Sequence, residues 1–145
     1  MISHRHAADD DRCRARRAFP RAVVATAIPA APSPEPCSWR ANIESNVLTA
    51  VLMTTGLLPR MNDGGAIVTI GSIAADKGSG SYGAAKAAIA SWNIDLARQL
   101  GSRSITANVV APCYIAEMVE FLASDRARQI TAQTFAVNGG EWPSR

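Results

Sequence analysis

The sequence predicts an α/β fold: the C-terminal half of a doubly wound, Rossmann-like parallel sheet, with about three strands flanked by helices. Three observations lead to this prediction. Segments with helical apolar periodicity alternate along the chain with short, continuous apolar runs. The run at residues 66–70 lacks the polar alternation of half-exposed strands, which indicates a strand buried on both faces. Glycine or proline ends most of the segments. Helices between buried strands imply a parallel sheet with right-handed crossovers.

The first predicted helix begins at Ser38, which can cap it, and ends at Pro59 and the Asn-Asp-Gly-Gly of residues 62–65. Residues 66–70, Ala-Ile-Val-Thr-Ile, form the first predicted strand. A Gly/Ser-rich loop over 71–81 leads to a helix that ends near Leu100, ahead of Gly101. Residues 105–110 predict a second strand, about 116–123 a short helix, and 134–137 a third strand.

Composition excludes several classes of protein. A chain of 145 residues with 48% hydrophobic and 19% charged residues is typical of one globular domain. Its net charge of +3 gives no basis for a nucleic-acid partner, because residues 37–145 are close to neutral. Three cysteines without CxxC spacing favour reduced thiols in a cytoplasm and no metal site. The longest apolar stretch contains three threonines and is too short to span a membrane.

Residues 1–37 are predicted to be a disordered tail unrelated to the fold. Ala, Arg and Pro dominate this segment, and no helical or strand period is sustained. Arg16-Arg17 followed by an apolar stretch also resembles a twin-arginine export signal, although Pro20 interrupts it. We therefore divide the chain into a tail, residues 1–37, and a partial catalytic domain, residues 38–145.

Tyr82 and Lys86 carry the chemistry that the sequence suggests. Spaced i and i+4 on a helix, the phenol and the ammonium lie on one face, one turn apart. A neighbouring cation favours the phenolate, so such a tyrosine can give or take a proton at a carbonyl or alcohol oxygen. The spacing alone is not specific, because a half-buried tyrosine next to a solvated lysine is common.

The context of this pair makes it specific. Gly-Ala-Ile-Val-Thr-Ile-Gly-Ser at 65–72, Tyr-Gly-Ala-Ala-Lys-Ala-Ala at 82–88 and Ile-Thr-Ala-Asn-Val-Val-Ala-Pro at 105–112 follow one another in this order. From about Trp39 to Gly140 the chain resembles the short-chain dehydrogenase/reductase family, and within it the bacterial 3-oxoacyl-carrier-protein reductases. The resemblance implies an NAD- or NADP-dependent oxidoreductase acting on a carbonyl or alcohol.

The resemblance also implies a role for each site residue. Tyr82 would be the general acid at the substrate oxygen, and Lys86 would assist Tyr82 and bind the nicotinamide ribose. Ser72 would hydrogen-bond the carbonyl, and Asn46 would hold a water that relays protons to Lys86. Ser72 could instead cap its loop, since only ten positions separate it from Tyr82, fewer than is usual in the family. Asn46 could be an ordinary solvated helical residue.

Pro112, Cys113 and Ile115 occupy the family's turn beside the nicotinamide, so the resemblance adds them to Tyr82 and Lys86 as cofactor contacts. Cys113 stands where the family has glycine, which puts close approach of the cofactor in doubt. No glycine-rich phosphate-binding turn precedes residue 38, and the family's substrate lid is missing after Ile115. Without a partner strand from the cofactor half, the strand at 66–70 is expected to be an exposed edge.

Three functions remain open at this stage. The chain can be an NAD(P)-dependent reductase of a 3-oxoacyl thioester or small ketone. It can be a non-catalytic interaction module that pairs with intact relatives, or a decayed or misread remnant without a function of its own. In the family the helices matching residues 38–61 and 82–100 build the subunit interface, so a homo-oligomer through them is expected.

Overall fold

The computed structural model describes residues 22–24, 36–112 and 116–140. Four strands form one parallel sheet in the order β1-β2-β3-β4. The strands are β1 (Ala22–Val24), β2 (Ala66–Ile70), β3 (Thr106–Pro112) and β4 (Thr134–Val137). The predicted α/β class with a parallel sheet is confirmed, and β2 and β4 have the predicted bounds.

The helices occupy the intervals between the strands. They are α1 (Pro36–Asn42), a π-helical segment (Ile43–Leu48), α2 (Thr49–Leu57), α3 (Ala74–Lys77), α4 (Gly80–Leu100) and α5 (Ala116–Leu122). The first helix begins two residues before the predicted cap, Ser38. The one-turn helix α3 lies in the segment predicted as a loop, and α4 begins two residues before Tyr82.

Strand β1 corrects the prediction for residues 1–37. Val23 pairs with Val68 in parallel register, so Ala22–Val24 belongs to the sheet and β2 is not an edge strand. A three-residue strand is too short for a periodic signal, and its stability comes from hydrogen bonds to β2 that the sequence does not reveal. Pro36 and Cys37 belong to α1. The rest of the predicted tail lies outside the described residues.

Helices cover both faces of the sheet. On the α4 face, side chains of β2 and β3 pack against α2 and α4; the main members are Ala50, Ile67, Leu96, Leu100, Ile105 and Ala107. On the α5 face, the buried cluster consists of Val68, Val110, Leu122 and Ala127. Ile67 and Val68 belong to different clusters because successive strand residues point to opposite faces.

The connections β2-α4-β3 and β3-α5-β4 have opposite hands. Both advance one strand in the same direction across the sheet, but α4 and α5 pack on opposite faces. The prediction that the crossovers are right-handed is therefore wrong for one of these two connections. Burial of the second face explains the exception: without α5, the apolar side chains of Val68 and Val110 would lose their cover from water.

Asn108 holds the segment that leads into β4. It is fully buried in β3, and its amide group donates to the carbonyl of Ile130 at 2.8 Å. Its Oδ1 accepts from the backbone N–H of Gln133 at 3.1 Å. Because both ends of the amide are satisfied, the segment before β4 is held against β3, and the carboxyl ends of the two strands lie side by side.

Candidate active site

Lys86 lies at the centre of the candidate site. Its side chain extends from α4 towards the end of β2, where Nζ donates to the carbonyl of Ile70 at 3.0 Å. Only 2% of the residue is exposed. Burial lowers the pKa of the Lys86 ammonium from 10.5 to about 8, because a charged group is disfavoured away from water.

Tyr82 lies one turn before Lys86 on α4 and is half-buried. The Nζ of Lys86 is 5.6 Å from the centroid of the Tyr82 ring, within range of a cation–π interaction. The predicted i, i+4 arrangement thus places the phenol ring and the ammonium next to each other.

Ser72 follows β2 by two residues and is half-buried. Its Oγ accepts from the backbone N–H of Ala74 at 3.1 Å, so it does cap the loop, as the alternative interpretation expected. A hydroxyl has one donor and two acceptor positions. The capping bond uses only an acceptor position, and the O–H can still donate to a substrate oxygen.

Ser72 and Lys86 line the same cavity at the carboxyl ends of the strands. The cavity holds about 220 Å³, and its other walls come from Gly71, Ala75, Asp76, Ala90, Val109, Ala111, Thr134 and Ala136. Most of these side chains are small. In open α/β sheets, ligands bind at the carboxyl ends of the strands. The volume is below the range of about 300–1,000 Å³ that is ordinary for ligand pockets, which suits a small reacting group.

Asn46 lies in the π-helical segment and is completely buried. Its amide group donates to the carbonyl of Asn42 and to the Oγ of Ser45, both at 3.1 Å. Its Oδ1 has no hydrogen-bond partner among the described residues. The segment packs against α4, but the hydrogen bonds of Asn46 stay within its own helix. The solvated alternative for Asn46 is wrong, because the helix packs it inside.

The remaining predicted cofactor contacts are only partly visible. Pro112 is the last residue of β3, where it pairs with Val137 of β4. Cys113 and Ile115 lie outside the described residues. The catalytic and cofactor roles of all these side chains stay predictions.

Sequence reasoning missed two contacts that hold the site together. The amide group of Asn42, 2% exposed, donates to the Oγ of Ser81 at 2.9 Å and joins α1 to the start of α4. In the second contact, Gly83 packs against the carbonyl of Ala74. Only the glycine within the Tyr-Gly-Ala-Ala-Lys run was a signal, since glycine inside a helix often marks close packing. Nothing in the sequence singles out Asn42.

Within residues 22–24, 36–112 and 116–140, no helix has the length and apolar character needed to cross a bilayer. The same residues contain no group of three or more His, Cys, Asp or Glu side chains that could hold a metal ion.

Comparison with known proteins gives a family match. The family model for short chain dehydrogenase matches residues 25–128, which is more than half of the chain. The chain is 33% identical over 138 residues to the 3-oxoacyl-[acyl-carrier-protein] reductase of Escherichia coli, a match that covers 70% of this chain and 57% of that protein. The corresponding reductase of Synechocystis is 33% identical over 137 residues, covering 70% of this chain and 55% of its own length.

Solved structures give the same result. A short-chain dehydrogenase/reductase from Brucella melitensis superposes with a TM-score of 0.78 at 26% identity, covering 84% of this chain and 63% of that one. An enoyl-[acyl-carrier-protein] reductase (NADH) from Aquifex aeolicus gives a TM-score of 0.74 at 26% identity, with 82% and 60% coverage. The chain thus spans a little over half the length of the curated relatives, and 57% of the Escherichia coli protein.

Proposed function

Because the chain belongs to the short-chain dehydrogenase/reductase family, we propose that it reduces a carbonyl with a nicotinamide cofactor, NADH or NADPH. The substrate class is a 3-oxoacyl thioester or a small ketone. One observation carries the proposal: Ser72 and Lys86 face one small cavity at the strand ends, with the Tyr82 ring 5.6 Å from the Lys86 ammonium. The curated relatives above are reductases, so the non-catalytic alternative is not favoured.

The described residues fit the reacting end of such a cofactor. Lys86 offers an ammonium with N–H donors for ribose hydroxyls, and Ser72 offers a hydroxyl donor on the same cavity wall. When bound, the cofactor supplies the hydride that reaches the carbonyl carbon. Pro112, the last residue of β3, and Cys113 and Ile115, which follow it in the sequence, are the further cofactor contacts that we propose.

Residues of the chain bind and protonate the carbonyl oxygen of the substrate. Ser72 donates a hydrogen bond to the carbonyl oxygen and stabilises the negative charge that develops on it. Tyr82 donates its phenol proton to the same oxygen, which becomes the product hydroxyl. The nearby ammonium of Lys86 stabilises the tyrosinate that remains. Asn46, whose Oδ1 has no partner among the described residues, holds the water through which a proton returns by way of Lys86.

Turnover by the purified chain tests this proposal. The absorbance of reduced nicotinamide is followed with an acetoacetyl thioester or a small 3-oxo ester as substrate. Tyr82→Phe keeps the ring but removes the proton donor, so we expect turnover to fall by at least about 100-fold. Lys86→Met should be similarly severe. The chain has two lysines, Lys77 and Lys86, and Lys77→Met, at an exposed position, is the matched control.

The control should keep the parent rate. Unchanged turnover in Tyr82→Phe would contradict the proposed mechanism. A folded parent chain that turns over none of these substrates with either cofactor would contradict the proposed activity of this chain.

The partner that we propose is a second copy of the chain. Large apolar side chains are exposed on the outer surface of α1, α2, α4 and the π-helical segment: Trp39, Leu48, Leu52, Met53 and Ile94. Large apolar side chains left exposed on neighbouring helices are a feature of protein–protein interfaces. These residues fall within the two helical regions that the sequence resemblance assigns to subunit contact.

A further inference from the structure

The segment between Ser72 and Tyr82 is built tightly around one carbonyl group. Its one-turn helix, α3, begins at Ala74, whose carbonyl accepts from the backbone N–H of Gly78. Gly78 has a φ of 74°, in the left-handed region that favours glycine at the end of a helix. The N–H of Ser79 also points to the Ala74 carbonyl, at 3.5 Å. The chain therefore turns back immediately towards α4.

Gly83 provides the space in which this carbonyl lies. A Cβ atom built on Gly83 would lie 2.5 Å from the carbonyl oxygen of Ala74 and 3.4 Å from the Cβ of Ser79. The first distance is far below van der Waals contact. The obstructing atom belongs to the backbone of a buried residue, so it cannot rotate away as a flexible side chain could.

Ala74 connects this contact to the candidate site. Its carbonyl lies against α4 at Gly83, and its backbone N–H donates to the Oγ of Ser72 at 3.1 Å. A displacement of Ala74 away from α4 therefore moves the donor that orients the Ser72 hydroxyl. Gly83 is the residue after Tyr82, so the contact joins the segment that contains Ser72 to the helix that contains Tyr82.

We infer that Gly83 is a positioning residue: its missing side chain lets the Ala74 carbonyl approach α4, and this places the Ser72 hydroxyl at the cavity that Lys86 lines. The inference rests on the proposed reductase function for its catalytic consequence. It also accounts for how a connection of only ten positions is held against the helix that contains Tyr82 and Lys86. The glycine acts through Ala74 and Ser72 and touches no substrate.

Gly56 is the matched control for a glycine in a helix. It lies in α2, and a Cβ built on it would have nothing within 4 Å. Both Gly56→Ala and Gly83→Ala gain the helix propensity of alanine. Only Gly83→Ala places a methyl group against a backbone carbonyl, so a difference between the two variants isolates the contact with Ala74.

Hydrogen exchange at the Ala74 amide is the direct measurement, because Ser72 Oγ is the acceptor of that N–H. We expect exchange to be at least about tenfold faster in Gly83→Ala, which corresponds to about 1.4 kcal/mol, and parent-like in Gly56→Ala. Ser72→Ala removes the acceptor of this hydrogen bond, so exchange in that variant gives the acceleration that complete loss of the bond causes. Parent-like exchange at Ala74 in a folded Gly83→Ala chain would overturn the inference.

Turnover gives the catalytic readout at a temperature where all variants are folded. We expect kcat of Gly83→Ala to fall on the order of 100-fold with a smaller change in KM, as misplacement of a reacting group predicts. A folded Gly83→Ala chain with the parent kcat would overturn the positioning role. If the parent has no turnover, the proposed function fails, and amide exchange alone decides the inference.

A rescue variant covers the case in which Gly83→Ala does not fold. A Gly-Ser-Gly insertion after Gly78 lengthens the connection and lets Ala74 move away from α4. Recovery of the folded state by the Gly83→Ala chain with this insertion would support the inference. An unfolded chain would overturn it, because a steric conflict with Ala74 would then not be the cause.

Discussion

The two faces of the sheet are built from different chemistry. On the α4 face lie the helices that contain Asn42, Asn46, Thr54 and Asn93, together with Thr69 of β2. Each of these five side chains has a buried polar atom without a hydrogen-bond partner among the described residues. The α5 face buries one asparagine of β3, Asn108, and both ends of its amide are satisfied.

The two faces therefore differ in the property that their buried side chains determine: polar environment on the α4 face and apolar packing on the α5 face. Buried polar atoms without a protein partner are unfavourable, and in native proteins they are accounted for by bound water or ions, by strain or by a functional role. The α4 face contains Lys86 and the elements around it, and thus holds a lysine whose pKa burial lowers to about 8. The α5 face is held by apolar packing of Val68, Val110 and Leu122. We expect substitutions on the two faces to affect different properties.

The largest effect on stability is expected for Leu122→Ala on the α5 face. Leu122 is 1% exposed, and removal of such a side chain leaves a cavity that costs about 2–5 kcal/mol of unfolding free energy. Urea denaturation measures the loss. Glu120→Ala, at an exposed position of the same helix, should change the free energy by less than about 0.5 kcal/mol. A loss below about 1 kcal/mol for Leu122→Ala would mean that packing on this face is loose.

A smaller, pH-dependent effect is expected for Lys86→Met on the α4 face. The pKa of Lys86 is about 8 in the folded chain and 10.5 in the unfolded chain. Between these values the unfolded chain binds more protons, so the stability of the parent rises with pH across this window. Lys86→Met lacks this rise. Its stability relative to the parent should therefore fall by about 1–2 kcal/mol between neutral pH and pH about 10.5.

Denaturant unfolding at several pH values measures this difference, with Lys77→Met as the control for loss of one lysine. A constant difference between Lys86→Met and the parent across the window would show that burial does not penalise the ammonium. The comparison between the two faces would then rest on the buried asparagine and threonine side chains alone.

The smallest effect is expected for self-association through the outer surface of the α4 face. Leu52, 69% exposed, lies in α2 among the exposed apolar side chains. Leu52→Glu should weaken a dimer by about tenfold, or ~1.4 kcal/mol, because a charge would be buried on association. Ala116→Glu adds the same charge on α5, at an exposed position, and should leave the dimer unchanged. Sedimentation velocity distinguishes these outcomes, and a monomeric parent at high concentration would contradict the interface.

Much of the fold could be predicted from local patterns. The bounds of β2 and β4 were predicted correctly because each is a short run of strand-forming residues, with Gly65 and Gly71 flanking β2 and Gly139-Gly140 shortly after β4. The hand of the β3-α5-β4 connection could not be predicted, since it depends on which face of the sheet remains uncovered. The π-helical segment around Asn46 also has no local sequence signature. It lies where the helix packs against α4.

By itself, the sequence determined the α/β class, the spacing of Tyr82 and Lys86 on one helix, and Ser72 at the end of a strand. These features follow from periodicity and chain order, which are local properties. Three further features are visible only in the folded chain: Ala22–Val24 completes the sheet, Asn42 reaches Ser81, and Gly83 makes space for Ala74. Most of these contacts join residues far apart in sequence. Their stability depends on burial and close packing, which no local pattern encodes.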